Sequence, residues 1–246
     1  MMRKFSIRVP CSSANIGPGF DVVGLALSIF LELHVTIDPN STKSVTHNCG
    51  IIYEGDGAEE VPLEADANLV TRTALYVLKC HDMRTFEKGT TVKIINPIPL
   101  GRGLGSSGAA VVAGVMLGNA CGRLGLSKNR MLDFCLMIER HPDNVTAAMI
   151  GGFVGSYLRE LDPKDMERVE IPLAEVLPAP AGGIDTGLKP PVPPEGIGHY
   201  ICYGWAREIK AIAIIPDFEV QTATARSVLP KQYTSKDMVG SLKIYC

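Results

Sequence analysis

The stretch at residues 96–114 constrains the chain most, because it joins a β-like run to a helical run through a glycine-rich loop. Glycines at alternate positions accept positive φ angles and leave room for a close ligand. Ser106 and Ser107 stand where the helix would begin, and a helix start presents unpaired N–H groups and a positive dipole end. These features predict a phosphate-binding loop. The three glycines are Gly101, Gly103 and Gly105.

Two familiar phosphate-binding patterns do not fit this loop. Residues 103–108 satisfy G-x-G-x-x-G, but the dinucleotide fingerprint follows its strand directly and leads to an acid at the end of the next strand. Here Pro97 and Pro99 intervene, and the next acid, Asp133, falls in a helical pattern. A Walker A loop requires Lys and Ser/Thr after its last glycine, whereas two alanines follow Gly108. A Rossmann oxidoreductase is therefore disfavoured, and an ordinary tight turn before a helix remains the alternative.

Composition narrows the class of protein. The 246 residues allow one large domain or two modest ones, and 46% hydrophobic with 20% charged residues is typical of a soluble globular chain. A net charge of −2 offers no electrostatic attraction to nucleic acid or an anionic membrane. Seven scattered cysteines without a C-x-x-C pair indicate reduced thiols. Without a visible secretory signal or an apolar run of the ~18 residues that a membrane span needs, we expect the cytoplasm.

Hydrophobic periodicity predicts alternating β and α elements. The first strand should stop at Pro10, and Asp66 and Ser127 are the expected N-caps of two helices. The Pro- and Gly-rich residues 178–198 should form a long loop or lid. The predicted strands are 5–9, 25–37 (as one strand or two), 50–53, 91–95, 153–158 and 209–215. The predicted helices are 65–80, 106–122, 128–139 and 145–150, with 217–229 as a further candidate.

Three polar clusters are candidate functional sites. Asn15 and Asp21 flank a Gly-Pro-Gly turn; such residues often bind only the local backbone, and the alternative is a grip on a cationic group of a small substrate. Thr222 and Arg226 are four residues apart, hence on one helix face. Arg226 would either clamp a carboxylate or pair with a surface acid.

The third cluster follows a predicted helix, from Glu139 to Asn144. In the simpler interpretation Glu139 is a solvated helix end and Asp143 caps the next helix. In the functional interpretation the Glu139 carboxylate joins the Ser107 hydroxyl, because both are hard oxygen ligands of the kind that Mg²⁺ accepts beside nucleotide phosphates. That interpretation requires the helices carrying Ser107 and Glu139 to pack side by side.

A family resemblance rests on these motifs. Residues 99–109 resemble the P-x-x-x-G-L-G-S-S-A-A phosphate loop of the GHMP small-molecule kinases. Within that superfamily, residues 12–21, 141–145 and 222–230 resemble homoserine kinases, and longer stretches resemble their fungal form. The resemblance runs from about residue 4 to residue 238, with the motifs in the family's order.

The resemblance implies a fold and an activity. The fold is α+β, a GHMP-kinase two-layer sandwich with a ribosomal protein S5 domain 2-like N-terminal domain at residues 1–172. An incomplete C-terminal α+β domain occupies residues 173–246. The implied activity is ATP-dependent phosphorylation of the L-homoserine hydroxyl in threonine biosynthesis, with ATP and Mg²⁺, and with a homodimer expected for the full-length form.

The resemblance also implies roles for individual residues. Asn68 would lie near the adenine of ATP, and Ser107 and Glu139 would bind Mg²⁺. Asn144 stands where other GHMP kinases place an aspartate base, so catalysis would rest on positioning and electrostatics. The implied phosphate loop comprises Pro99, Leu100, Gly101, Arg102, Gly103, Leu104, Gly105, Ser106, Ser107, Gly108 and Ala109.

The implied substrate site is built from the other two clusters. Asn15 and Asp21 would hold the amino group of homoserine. His141, Thr222 and Arg226 would hold its carboxylate or frame its pocket.

Three departures from the family pattern leave alternatives open. Gly108 replaces an alanine, and the interval from Glu139 to His141 is shorter than in bacterial relatives. The glycine-rich third GHMP motif is absent, and residues 239–246 resemble nothing in the family. We therefore expect a truncated chain that lacks most of its second domain. The alternatives are an inactive fragment that at most binds nucleotide, or another GHMP small-molecule kinase.

Overall fold

A computed structural model describes residues 1–17, 19–159, 189–206, 208–210 and 212–215. The predicted domain boundary at 172/173, the candidate helix at 217–229, and both Thr222 and Arg226 lie outside these residues. The strands are β1 (Arg3–Ala14), β2 (Val23–Ile37), β3 (Cys49–Gly55), β4 (Thr90–Asn96), β5 (Phe153–Leu158) and β6 (Gly198–Tyr203). The helices are α1 (Leu69–Cys80), α2 (Ser106–Gly122), α3 (Lys128–Glu139) and α4 (Pro142–Ile150).

The long strand β2 organises the sheet. On one side it pairs with β1 over almost its whole length, from Gly24 to Ile37. On the other side its C-terminal half pairs with β4 and its first three residues pair with β5. All these pairings are antiparallel, and β3 adds to β4 in parallel while β6 adds to β5. Residues 25–37 therefore form part of one strand rather than two.

One face of the sheet carries the hydrophobic core beneath the helices. Alternate residues of β4 are buried, and α2 and α4 pack directly on β1 and β2. Helix α1 lies against α2, where Gly114 and Gly118 permit a close approach. A Cβ on Gly118 would lie 2.9 Å from the carbonyl oxygen of Ala74, and one on Gly114 would strike that of Val70. This arrangement confirms the expected α+β sandwich of sheet and helices.

The predicted end of the first strand was wrong. Strand β1 continues through Pro10, which pairs with Phe30, and reaches Ala14. The register shifts between Pro10 and Ser12, and such an irregularity accommodates a residue that lacks a backbone donor. The extension carries Ser12 under the phosphate loop.

Some helix boundaries were predicted correctly and others were not. Ser127 is the N-cap of α3 and its Oγ accepts from Arg130 N at 3.2 Å, as expected. Asp66 is not the cap of α1; Asn68 is, and its Oδ1 accepts from Val70 N at 3.1 Å. Helix α4 begins at Pro142 rather than at 145, because proline at the first helical position forfeits no hydrogen bond.

Two strand assignments near residue 200 were wrong: one predicted strand does not form in the described residues, and one observed strand was not predicted. The described residues of 209–215 form no strand, and Ile212 and Ile214 are 89% and 92% exposed. An apolar run becomes a buried strand only beside a partner, and the described sheet offers none to these residues. Strand β6 was not predicted, since most of its side chains are exposed at the sheet edge and lack a clear alternation.

Of the loop predicted at 178–198, residues 178–188 lie outside the described ranges and Gly198 begins β6. Residues 189–197 form a strap without helix or strand, and this strap is tightly held. The buried Asp133 carboxylate accepts from Gly196 N at 3.1 Å and Ile197 N at 3.0 Å. Arg130 donates to Asp133 at 3.0 Å and to the carbonyl of Pro194 at 2.9 Å. The strap is thereby fastened to α3 immediately before β6 begins.

Removing the Asp133 carboxylate should destabilise the fold. We expect Asp133→Ala to lower the free energy of unfolding by about 3–5 kcal/mol, because two backbone N–H groups and the Arg130 guanidinium lose their acceptor. Urea denaturation followed by circular dichroism measures this. The control is Lys189→Ala on the same strap. Its exposed ion pair with Asp82, at 2.6 Å, contributes at most about 1 kcal/mol. Equal losses for the two variants would contradict the role of Asp133.

The buried cysteines predict a pH dependence of stability. Burial raises the pKa of Cys49, Cys80 and Cys121 to about 12. In the unfolded chain these thiols ionise near pH 8.5, so above that pH the unfolded state binds fewer protons and stability falls as pH rises. The loss between pH 8.5 and 9.5 should be about 1 kcal/mol per thiol. Urea titrations at the two pH values measure it. Cys121→Ala should reduce the slope, and an unchanged slope would contradict this account.

Candidate active site

The glycine loop between β4 and α2 has the backbone shape that its sequence predicts. Gly101, Gly103 and Gly105 have φ angles of 65°, 75° and 61°. Gly105 is the N-cap of α2 and makes no side-chain capping hydrogen bond. The first-turn N–H groups of α2 therefore have neither intrahelical carbonyls nor a capping side chain, and they are available to an anion.

One cavity of about 760 Å³ adjoins this loop. It is bounded by the phosphate loop, the start of α1, the turn between α3 and α4, and the turn after β1. The structure thus brings together most of the predicted site residues. Those that line the cavity are Asn15, Asp21, Asn68, Pro99, Leu100, Gly101, Arg102, Gly103, Leu104, Gly105, Ser106, Ser107, Glu139, His141 and Asn144.

Gly108 and Ala109, also predicted, do not line the cavity and are buried. Gly108 packs against Asn144, where an added Cβ would lie 3.3 Å from the Asn144 Cβ. The glycine thus lets the first turn of α2 approach the start of α4 closely.

Asn96 anchors the loop where it leaves β4, and sequence analysis missed this role. Its Oδ1 accepts from Ile98 N at 3.1 Å, while its Nδ2 donates to the Tyr53 hydroxyl at 2.9 Å and to Ser106 Oγ at 3.4 Å. Burial raises the pKa of Tyr53, which keeps its phenol protonated and able to donate to the carbonyl of Asp56 at 3.0 Å. The sequence feature that could have indicated this role is an asparagine at the end of a predicted strand, directly before the glycine loop.

A second anchor comes from the turn after β3. The Asp56 carboxylate accepts from Leu100 N at 2.8 Å, and Asp56 N donates to the carbonyl of Asn96 at 2.8 Å. The preceding Gly55 has φ 116°, and a Cβ there would strike the Asn96 carbonyl. The loop is thus held from the β3 side of the sheet as well as from β4.

The turn between α3 and α4 presents Glu139, His141 and Asn144 to the cavity. It reverses the chain at Arg140, which has φ 54°. The turn packs on the sheet at Gly24, where a Cβ would strike the carbonyl of Asp143. Close backbone packing against the sheet therefore helps to set the position of this turn.

Asn15 and Asp21 show the local bond that the simpler interpretation expected. Both have left-handed φ angles, 58° and 56°, and Asn15 Oδ1 accepts from Asp21 N at 2.8 Å. Both also line the cavity. The local bond fixes the shape of the turn, and the turn sets the two side chains at the cavity wall.

Ser107 and Glu139 fit a metal ion that arrives with a ligand. Helices α2 and α3 pack together, and both side chains line the cavity. Within the described residues, no cluster of three or more His, Cys, Asp or Glu side chains suits a metal ion. A hydroxyl and a carboxylate supply two hard oxygen ligands, so phosphate oxygens and water would have to complete an octahedral Mg²⁺ shell.

The phosphate loop should tolerate no side chain at Gly105. A Cβ there would strike Ser12 Oγ and approach Asn144 Oδ1 at 2.7 Å. We expect Gly105→Ala to cost about 3 kcal/mol of unfolding free energy, from steric overlap added to left-handed strain, and to weaken the binding of an anion such as pyrophosphate more than about tenfold. Urea denaturation and calorimetry measure the two effects. Gly125 has φ 66° and open space around it, so Gly125→Ala should cost only about 1 kcal/mol and leave pyrophosphate binding unchanged. Equal effects of the two variants would contradict the steric argument.

Comparison with known proteins places these features in a family. Residues 68–152 match the GHMP kinases N terminal domain. The chain is 62% identical to the homoserine kinase of Saccharomyces cerevisiae, with 99% of this chain and 70% of the yeast protein covered. It is 52% identical to that of Candida albicans, with 97% of this chain and 68% of the relative covered.

A solved structure agrees with the sequence comparison. The homoserine kinase of Cytophaga hutchinsonii superposes with a TM-score of 0.64 at 25% identity, over 98% of this chain and 64% of that one. The present chain thus spans about two thirds of the length of these relatives. By its sequence identity and its fold, the chain belongs to the homoserine kinase family of GHMP kinases.

Proposed function

We propose that this chain carries the ATP site and part of the substrate site of a homoserine kinase. It would transfer the γ-phosphoryl group of ATP to the hydroxyl of L-homoserine, forming O-phospho-L-homoserine for threonine biosynthesis. The observation that carries this proposal is the single cavity joining an uncapped helix N-terminus to the Asn15–Asp21 turn and the α3–α4 turn. Such a cavity has room for a phosphate chain with a small polar substrate beside it.

The nucleotide would lie across the phosphate loop with its base towards α1. That end of the cavity is lined by apolar or aromatic side chains, including Tyr53, Val61 and Leu69, which suit a flat heteroaromatic ring. The Asn68 amide is used at both ends: its Oδ1 accepts from Val70 N, and its Nδ2 donates to the Pro62 carbonyl. We therefore assign Asn68 to shaping the adenine pocket rather than to reading the base.

The phosphates would lie at the start of α2, where Ser107 and Glu139 would hold Mg²⁺ between them. A bound Mg²⁺ supplies charge neutralisation for the phosphate oxygens. The loop N–H groups add fixed donors in the same place. The positive charge needed to stabilise the transferring phosphoryl group would thus come from backbone, metal and helix dipole together.

The substrate end would be the turn after β1. The Asp21 carboxylate suits an ammonium group, and Asn15 shapes the turn that presents it. His141 lines the same cavity, and its imidazole would contact the homoserine carboxylate. Thr222 and Arg226, assigned to the same carboxylate, stay a prediction because they lie outside the described residues.

The chemistry needs no side-chain base in the described part of the site. The homoserine hydroxyl oxygen would bond to the γ-phosphorus while the bond from that phosphorus to the bridging oxygen breaks. ADP leaves with the electron pair, and the hydroxyl proton passes to a phosphate oxygen or water. Asn144, an amide, offers hydrogen bonds but takes no proton, so its part is to position and to stabilise charge.

Two features bear on where the proposed enzyme would act. None of the helices in the described ranges is long and apolar enough to cross a bilayer. The six cysteines that the structure describes are unpaired, as reduced thiols in the cytoplasm would be. We propose a cytoplasmic enzyme, and a homodimer of the full-length form stays a prediction.

An ADP-release assay tests the proposed activity. We expect turnover with ATP, Mg²⁺ and L-homoserine, and none with galactose or mevalonate. Turnover with either of the other alcohols instead would favour a different GHMP kinase. ATP binding without turnover of any of the three would favour the alternative of an inactive nucleotide-binding fragment.

Substitutions should separate the two ends of the site. Glu139→Gln should lower kcat roughly 100-fold by removing a metal ligand, with partial recovery at raised Mg²⁺ concentration.

Asp21→Asn should instead raise the KM for homoserine by about tenfold to 100-fold, because a charge-assisted bond is lost, with the KM for ATP unchanged. The exposed Glu195→Gln is the control and should match the unmutated chain. A rise in the KM for ATP in Asp21→Asn would contradict the assignment.

A further inference from the structure

Ser12 is a buried polar residue at the centre of the site that none of the roles above uses. It lies on the part of β1 beyond the register shift, and its side chain is 0% exposed. Its backbone N–H donates to the carbonyl of Leu104 in the phosphate loop at 3.1 Å. Its hydroxyl donates to Asn144 Oδ1 at 2.9 Å. One residue therefore binds the loop by its backbone and the start of α4 by its side chain.

The orientation of the Asn144 amide follows from its two neighbours. Asp143 Oδ1 accepts from Asn144 N at 2.8 Å and lies 3.5 Å from Asn144 Nδ2. A flipped amide would place its oxygen against this carboxylate, and two acceptors repel each other. The hydroxyl of Ser12 meanwhile supplies the donor that the amide oxygen needs. The Asp143 carboxylate thus selects this orientation, and the Ser12 hydroxyl satisfies the amide oxygen in it.

This orientation decides what Asn144 offers to a ligand. Its oxygen is occupied by Ser12, so the amide presents N–H rather than C=O to the cavity that it lines. The added Cβ on Gly105 that would approach Asn144 Oδ1 at 2.7 Å shows how close the amide lies to the N-cap of α2. An amide N–H of a side chain that lines this cavity, beside an uncapped helix start, would add a donor for phosphate oxygens bound there.

We propose that Ser12 is a positioning residue for phosphoryl transfer. Its hydroxyl holds the Asn144 amide with an N–H directed at the terminal phosphoryl group, and its backbone N–H holds the loop that cradles the same group. Loss of the hydroxyl leaves the amide oxygen without its donor and loosens the side chain of Asn144, so that its N–H is directed less precisely at the phosphoryl group. The inference rests on the proposed function for the identity of the anion, and its test keeps the two apart.

A double-mutant cycle on kcat tests whether Ser12 acts through Asn144. We expect Ser12→Ala to lower kcat by about tenfold to 100-fold, the range for one lost hydrogen bond to a charged group, with the KM for homoserine within about twofold. Asn144→Ala should lower kcat at least as much. The double variant should be no more than about twofold slower than Asn144→Ala, because coupled residues are non-additive. Ser13→Ala, the half-buried neighbour on the opposite face of the strand, is the control and should match the unmutated chain.

A merely structural role for Ser12 would give a different pattern. The losses of kcat would then multiply in the double variant, and Mg·ATP and Mg·ADP would both bind less tightly to Ser12→Ala. The proposal expects a selective effect: by calorimetry, about fivefold to tenfold weaker binding of Mg·ATP, with the dissociation constant of Mg·ADP within about twofold. Multiplicative losses, or equal weakening of the two nucleotides, would overturn it.

The same binding measurements separate this inference from the proposed function. If the unmutated chain binds Mg·ATP but does not phosphorylate homoserine, the proposed function fails. The double-mutant cycle is then evaluated from the dissociation constants of Mg·ATP instead of from kcat. Non-additive losses in that constant would still support Ser12, and additive losses would overturn it. If the unmutated chain does not bind Mg·ATP, both proposals fail.

Discussion

The uncapped start of α2 is the constraint on which the site depends. An anion binds there only if backbone N–H groups face the cavity and no side chain satisfies them first, which is why a glycine in the left-handed region occupies the N-cap. Such a loop has little side-chain packing of its own. Its shape must come from neighbours, and Asn96, Asp56 and Ser12 each bind it through a short hydrogen bond.

Strand β2 provides the frame that brings those neighbours together. Because it pairs with β1 on one side and with β4 and β5 on the other, the ends of four strands share a fixed spacing. Ser12 on β1 reaches the loop that leaves β4. Gly24 on β2 receives the turn that carries Asn144. The site is thus assembled from segments over 100 residues apart in the chain, such as Ser12 and Asn144, and local flexibility in any one of them is limited by the sheet.

Local chemistry explains which parts of this arrangement were predictable. The helix after the glycines and the Ser127 cap depend on residues within a few positions of each other, and they were predicted correctly. Asp66 was a reasonable cap by type, but Asn68 caps α1 because the turn at residues 64–68 delays the helix. The strand at 209–215 was wrong for a non-local reason: burial of an apolar run needs a partner strand.

The amino-acid sequence by itself determined the phosphate loop, since alternating glycines before a small-residue helix have few other stable shapes. It also determined the family, through motifs that keep their residue types and order. Only the tertiary structure decided that Ser12 and Asn96 serve that loop, because a buried serine or asparagine reveals its partner only when the chain is folded. The direction of the Asn144 amide belongs to the same class, since it depends on the Asp143 carboxylate beside its nitrogen and on the Ser12 hydroxyl bound to its oxygen.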